Sequence, residues 1–185
     1  MLRSVALVIV LGLSLKMCRA EDVPIGVSVC QLQENPVAFD KTLVRVRGQI
    51  SIAFEDFSLT AGTCKSSGAG IWLEFGGDVE APTIYCCGDH SRKKGTVLKV
   101  EGFSLPLKRD RSLRDFLRLV DTQRKPQPGS TQPGIAATIT GRFFAGKPWT
   151  RSDGKVLYMG YGHLGCCSLL VIQQVSDVAA QRVSH

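Results

Sequence analysis

Six cysteines after residue 20 constrain the fold more than any other feature of this chain, because four of them form two adjacent doublets. The six are Cys30, Cys64, Cys86, Cys87, Cys166 and Cys167. Cysteines used this densely indicate an oxidising compartment and a fold held by disulfide bonds. Neighbouring Cα atoms lie about 3.8 Å apart, below the usual disulfide range of about 4.4–6.8 Å. We therefore expect Cys30 to pair with Cys64, and the two doublets to be cross-linked to each other.

Residues 1–20 predict a secretory signal peptide, followed by an exported part. Arg3 gives the positive start, residues 5–15 form an apolar run, and residues 18–20 place small side chains where a signal peptidase reads them. The run is shorter than the ~20 residues that span a bilayer, and no later stretch is apolar enough, so we expect no transmembrane helix. The alternative is a bacterial lipoprotein anchored through Cys18, although the two residues before Cys18 are not the small ones of that signal.

Residues 21–185 have the length of one domain, which we expect to be periplasmic or secreted. The formal net charge of the whole chain is +7, but Arg3, Lys16 and Arg19 belong to the leader. The exported part is therefore only modestly basic. Such a charge is ordinary for solubility and is weak evidence for a nucleic-acid partner.

Alternation of apolar and polar residues predicts a half-buried β-strand over residues 44–54. Val44, Val46 and Ile50 fall on one face, while arginine and glutamine side chains fall on the other. Gly48 interrupts the pattern, as glycine does at a bend or bulge. Similar patterns predict strands at residues 71–75, 83–87, 95–103, 137–144 and 169–175, with a hairpin turn at Asp153-Gly154.

Capping residues and apolar spacing predict two helices. Ser28, with Gln31 three residues later, indicates a short helix that ends at Asn35-Pro36. Residues 112–121 carry apolar side chains at the intervals of an amphipathic helix.

The order of these elements predicts a mainly β fold, a small OB-like closed barrel stapled by disulfides. Apart from a short edge strand at residues 83–87, three strand regions precede the amphipathic helix and two follow it, and in an OB-fold the helix lies between strands three and four. Glycine recurs at Gly48, Gly102 and Gly141, next to or within strand patterns, as a small closed barrel requires. A β-sandwich is the alternative architecture.

Strand and turn residues between positions 30 and 75, together with two motifs near the C-terminus, resemble a known family. The residues are Cys30, Leu32, Asn35-Pro36, Asp40-Lys41, Val44-Arg45-Val46-Arg47-Gly48, Phe54-Glu55, Cys64, Ile71-Trp72-Leu73-Glu74-Phe75, Gly162-His163-Leu164-Gly165 and Leu170-Val171-Ile172. They resemble exported bacterial proteins of unassigned function, whose expected fold is OB-like. The resemblance covers most of the exported part. It implies an architecture and supplies no catalytic residue.

Trp72 and Glu74 are the candidate binding residues. They alternate with the apolar side chains of the strand at residues 71–75, so we expect them to face away from the core. In that position they would be presented to an unknown ligand.

Short basic runs at residues 92–94 and 108–111 suggest an alternative ligand. With an aromatic side chain such as Trp72, Phe57 or Trp149, they have the composition of a surface that stacks on an oligonucleotide or an oligosaccharide. The modest charge of the exported part makes this the second alternative.

A histidine lies close to each cysteine doublet, since His90 follows the first and His163 precedes the second. Thiolate and imidazole are zinc ligands, but adjacent residues on a strand point to opposite faces, and zinc sites prefer a spacer between the cysteines. No Cys-x-x-Cys spacing supports a thiol-redox role. A metal-binding or thiol-redox protein that uses the doublets is thus kept as the first alternative to a binding module. The binding module itself implies no metal and no cofactor.

Residues 160–165 match the dinucleotide pattern G-x-G-x-x-G, but an apolar, strand-like segment follows instead of a helix. We therefore expect a turn there, with His163 as a structural residue. No serine or cysteine comes with a recognisable base and carboxylate, so no catalytic residue is assigned. The sequence thus predicts an exported, non-catalytic binding or envelope-associated module, not an enzyme.

Overall fold

The computed structural model describes residues 22–53, 55–62, 64, 70–78, 97–124 and 134–181, in which the chain is mainly β. The strands are β1 (Ile25–Ser28), β2 (Leu43–Ala53), β3 (Asp56–Thr60), β4 (Ile71–Phe75), β5 (Lys99–Val100), β6 (Phe103–Ser104), β7 (Gly134–Phe144), β8 (Lys147–Thr150), β9 (Val156–Met159) and β10 (Leu169–Gln181). The α-helices are α1 (Val29–Glu34) and α2 (Arg111–Arg124), and 3-10 helices cover Pro36–Phe39 and His163–Gly165. The predicted leader and the strand predicted at residues 83–87 lie outside these ranges. In the ranges themselves, every helix is too short or too polar to cross a bilayer.

Helix α1 begins at the predicted capping box. The Oγ of Ser28 accepts a hydrogen bond from the backbone N–H of Gln31 at 3.1 Å, and the Oε1 of Gln31 accepts one from the backbone N–H of Ser28 at 2.8 Å. These bonds satisfy two donors that a helix N-terminus otherwise leaves unpaired. The helix ends before Pro36, which begins the first 3-10 helix. The predicted helix is confirmed, and it carries Cys30 and Leu32.

Strand β2 is the alternating strand predicted from residues 44–54. Val44, Val46 and Ile50 are buried, whereas Arg45, Arg47 and Gln49 are exposed. Glycine is required at position 48 because a Cβ there would lie 2.8 Å from Leu59 Cδ1 and from the carbonyl oxygen of Thr60. Gly48 therefore allows β3 to approach β2 closely.

The main sheet has six strands in the order β1-β2-β3-β4-β10-β7, and β7 also pairs with β2. Strand β4 runs parallel to β10, and β1 runs parallel to β2. The pairs β2–β3, β3–β4, β10–β7 and β2–β7 are antiparallel. The sheet is therefore mixed, and its hydrogen-bonded pairings form a cycle that starts and ends at β2.

The amphipathic helix lies elsewhere in the strand order than predicted. Helix α2 contains the expected residues, and it buries Leu113, Phe116 and Val120. In chain order it follows β6 and precedes β7, so it does not lie between the third and fourth strands. The difference arises because β1 and β3 carry no clear period-two pattern, and because the two short strands β5 and β6 replace the one predicted at residues 95–103.

The strand predicted at residues 95–103 is broken by a tight turn. Strands β5 and β6 pair antiparallel, and Glu101 and Gly102 between them have positive φ angles of 47° and 84°. Glycine adopts such angles at no steric cost, whereas glutamate does so only where its surroundings hold it. A hairpin therefore replaces the continuous strand.

Two hydrophobic clusters lie on opposite faces of β4. The larger one contains Leu73 and Phe75, and the Phe75 ring stacks on Phe57 with centroids 5.5 Å apart. The smaller one surrounds Trp72 with side chains from the β5–β6 region, β7 and β10, namely Leu105, Phe144, Leu169, Val171 and Cys167. Every residue of β4 is consequently buried.

Candidate functional site

The predicted binding residues Trp72 and Glu74 are not presented to solvent. Their exposed fractions are 2% and 8%, because the smaller cluster covers the face of β4 that was expected to be open. The Oε1 of Glu74 accepts a hydrogen bond from the backbone N–H of Phe75 at 3.1 Å. Phe57, another predicted stacking residue, is 1% exposed. The expectation that these side chains face away from the core is therefore wrong, and a binding role for Trp72 and Glu74 stays a prediction.

Cys30 and Cys64 are disulfide-bonded with their Cα atoms 5.3 Å apart, within the usual range. This is the pair that the sequence analysis expects. The bond links α1 to the segment that follows β3, so it fixes the helix to the sheet.

Cys166 and Cys167 are bonded to each other, which differs from the predicted cross-link between the doublets. The local chain path explains the difference. Tyr161 and Cys167 form an isolated antiparallel bridge, with N···O distances of 3.1 and 3.0 Å. The 3-10 turn between them brings the chain back on itself, and Cys166 and Cys167 follow this turn as direct neighbours. Cys86 and Cys87 lie outside the described residues, so their pairing stays a prediction.

The turn that carries this doublet packs directly against Trp72. Gly162 has a φ of 75°, and a Cβ on it would lie 2.8 Å from Cε3 of the Trp72 indole. Leu164 and Gly165 also have positive φ angles, of 52° and 71°. The turn predicted from residues 160–165 is confirmed, and the G-x-G-x-x-G match reflects its backbone geometry.

A polar network of Tyr161, Glu101 and Lys41 also holds this turn in place. The hydroxyl of Tyr161 donates to Glu101 Oε1 at 2.6 Å, and Lys41 Nζ lies 2.9 Å from Glu101 Oε2. The Tyr161 hydrogen bond, followed by the Lys41 hydrogen bond, lowers the pKa of Glu101 below its usual value, since both favour the carboxylate. The bond to Glu101 raises the pKa of Lys41 in turn.

His163 lies beside a carboxylate from a distant part of the sequence. Its Nδ1 lies 3.1 Å from Glu55 Oε2, in the turn between β2 and β3. In the part of the chain that the structure describes, no group of three or more His, Cys, Asp or Glu side chains is arranged to hold a metal. His90 and the first cysteine doublet lie outside that part, so the metal-binding alternative stays a prediction.

A cavity of about 130 Å³ opens beside the Cys166–Cys167 bond. Helix α1 and the start of the first 3-10 helix form one wall, and β9 forms the opposite wall. The beginning of β4 and the segment from Cys166 to Ser168 complete it. Its lining residues are Leu32, Gln33, Glu34, Pro36, Gly70, Ile71, Lys155, Val156, Leu157, Tyr158, Cys166, Cys167 and Ser168. Most of these contribute apolar surface, and Glu34 and Lys155 supply opposite charges.

The β8–β9 hairpin extends this wall into solvent. All four residues of β8 are exposed, and Trp149 pairs in register with Leu157 of the cavity wall. Trp149 is 52% exposed and Val156 is 48% exposed. Gly154, with a φ of 80°, lies in the turn predicted at Asp153-Gly154. Sequence reasoning named Trp149 only as a stacking alternative, although it is the exposed tryptophan.

The basic run at residues 108–111 is largely neutralised by ion pairs. Arg109 contacts Asp78, Lys108 Nζ lies 3.6 Å from Asp110, and Arg111 Nε lies 3.7 Å from Asp115. The run at residues 92–94 lies outside the described residues. The described run is therefore a mixed-charge surface, which does not favour phosphate binding.

No family model, curated protein or solved structure matches this chain. The resemblance to exported OB-like proteins therefore stays a prediction, and the cavity and hairpin must be interpreted from their own chemistry.

Proposed function

We propose that this protein is an exported, non-catalytic binding module, built on an OB-like closed barrel, whose ligand site is the cavity between α1 and β9. The cyclic strand pairing from β2 through β3, β4, β10 and β7 supports the barrel. The Cys30–Cys64 bond supports export, because such bonds persist in oxidising compartments. An association with the bacterial envelope follows from the resemblance.

The observation that carries the proposal is the cavity itself. Concave, mostly apolar pockets with a few polar groups are typical ligand sites. A volume of about 130 Å³ is close to that of an apolar cavity known to bind benzene, about 150 Å³. The ligand therefore inserts one ring-sized apolar group, while the exposed Trp149 and Val156 contact the rest of it.

The site is tested by titrating the protein with indole and following backbone amide resonances by NMR. We expect shifts confined to the cavity wall, at residues 32–34, 70–71, 155–158 and 166–168. Val156→Lys replaces an apolar lining side chain with a charged one and should weaken indole binding at least tenfold, since indole loses apolar contact and the ammonium loses water when indole binds.

Val23→Lys is the matched control, because Val23 is 84% exposed and does not line the cavity. It should bind indole like the unmodified protein. Shifts spread over other surfaces, or equal binding by the two valine variants, would exclude this cavity as the ligand site.

The exposed Trp149 also favours a second candidate function, binding of an oligonucleotide or oligosaccharide. Lys147 and Lys155 flank it on the hairpin, and Arg151 is held 3.2 Å from Asp153. With a single-stranded dT oligonucleotide as probe, Trp149→Ala should lower affinity about tenfold or more through lost stacking. Affinity should also fall steeply with salt, and a flat salt dependence would remove the nucleic acid from consideration.

A further inference from the structure

The Cys166–Cys167 bond differs from an ordinary structural disulfide in the distance between its Cα atoms. Its Cα atoms are 3.7 Å apart because the residues are adjacent, whereas unstrained disulfides span about 4.4–6.8 Å. A bond outside this range is more easily reduced. Disulfides that are strained or accessible are the labile and regulatory ones.

The two sulfur-bearing residues differ in accessibility. Cys166 is half-buried, whereas Cys167 is 5% exposed and belongs to the cluster around Trp72. Both line the cavity. An incoming thiolate therefore reaches the Sγ of Cys166 more readily than that of Cys167.

We propose that Cys166–Cys167 is a thiol–disulfide exchange site for an external dithiol. One thiolate of the dithiol attacks the Sγ of Cys166, the bond between the two cysteine sulfurs breaks, and Cys167 leaves as a thiolate that takes up a proton. The second thiolate of the dithiol then attacks the dithiol sulfur that is bonded to Cys166. Cys166 leaves as a thiolate and also takes up a proton. The protein gains two electrons and two protons, and the dithiol becomes a disulfide. This exchange does not depend on the ligand of the proposed function.

The turn around the doublet is built to accommodate both states. Gly162 and Gly165 adopt positive φ angles without a steric penalty. The backbone bridge between Tyr161 and Cys167 and the bond from Tyr161 to Glu101 do not involve the sulfur atoms. Reduction therefore leaves these anchors in place and changes the part of the cavity wall that Cys166 and Cys167 form.

The experiment begins with a non-reducing tryptic map of the exported protein after free thiols are blocked. Cys166 and Cys167 fall in the peptide 156–182, and Cys86 and Cys87 fall in the separate peptide 66–92. We expect peptide 156–182 to be uncross-linked and to lack both thiol hydrogens. A cross-link between the two peptides would overturn the proposal.

The native protein is then equilibrated with graded ratios of reduced to oxidised dithiothreitol, quenched with iodoacetamide and mapped again. We expect Cys166 and Cys167 to be half-reduced at a ratio at least tenfold lower than Cys30 and Cys64, which is about 30 mV for a two-electron couple. Equal ratios for the two bonds, or an earlier reduction of Cys30–Cys64, would refute it.

Two single variants test which sulfur is attacked. Cys167→Ser leaves Cys166 as a free thiol at the cavity, and Cys166→Ser leaves Cys167 in the cluster. Iodoacetamide should label the first variant at least tenfold faster than the second. Equal rates would show that the attack on Cys166 is wrong. The titration of the unmodified protein tests the proposal even if either variant fails to fold.

Discussion

The two described disulfides have different roles. Cys30–Cys64 joins residues separated by 34 positions and holds α1 against the sheet. Cys166–Cys167 joins neighbours and adds little constraint to a chain that is already covalently continuous there. The entropy removed from the unfolded chain grows with the loop that a disulfide closes. The comparison teaches that the first bond stabilises the fold, whereas the second provides a reactive group at the cavity.

Removing each bond separately is the strongest test of this comparison. The scaling of chain entropy with loop length gives about 4 kcal/mol for the loop closed by Cys30–Cys64 and about 1 kcal/mol for the adjacent pair. We expect the double variant Cys30→Ser, Cys64→Ser to lose the larger free energy of unfolding, and the corresponding variant of Cys166 and Cys167 to lose the smaller. Urea unfolding followed by circular dichroism measures both. Similar losses would contradict the division of roles.

The turn that carries the reactive bond is expected to be sensitive to packing as well as to backbone angle. Gly162→Ala forces a Cβ against the Trp72 indole and puts alanine at a φ of 75°, so it should cost about 2–3 kcal/mol. Gly154→Ala is the matched control, since its φ is 80° but no atom lies within 4 Å of the added Cβ. We expect about 1 kcal/mol for the control. Equal costs in urea unfolding would mean that the contact with Trp72 contributes nothing.

The smallest expected effect concerns the polar network of Tyr161, Glu101 and Lys41. Because the pKa of Glu101 is lowered in the folded protein, the stability it contributes is present above the usual value of 4.5 and is lost as the pH falls through the folded pKa. Tyr161→Phe removes the largest cause of that shift. It should cost under about 1 kcal/mol at neutral pH, because Glu101 is 41% exposed.

The Tyr161→Phe variant should also lose less stability than the unmodified protein when the pH is lowered from 6 to about 3. Urea midpoints measured across that range provide the comparison. Parallel curves for the two proteins would show that the hydroxyl does not couple to Glu101.

Local patterns predicted local structure well. The capping box of Ser28 and Gln31 identified α1, and the alternation along β2 identified both the strand and its buried face. Such signals depend on neighbours within a few residues, so a single sequence contains them in full.

Features that depend on distant segments were not predictable in this way. Alternation along β4 correctly placed Trp72 and Leu73 on opposite faces of the strand. It cannot reveal that side chains of β7 and β10 cover the face that carries Trp72. The bond within the second doublet likewise depends on the bridge between Tyr161 and Cys167, which spacing alone does not show. The candidate cavity combines α1, β4 and β9, and no contiguous motif encodes it.

The parallel pairing of β4 with β10 has a consequence for the order in which the chain matures. Trp72 pairs in register with Leu169, so the strand that completes the cycle of pairings is synthesised after the other described strands. Until β10 emerges, β4 and β7 each present an unsatisfied backbone edge, and non-local pairing of this kind is slow. A nascent chain that stops before Leu169 therefore exposes unpaired strand edges, and it must be kept apart from other copies until β10 becomes available to pair.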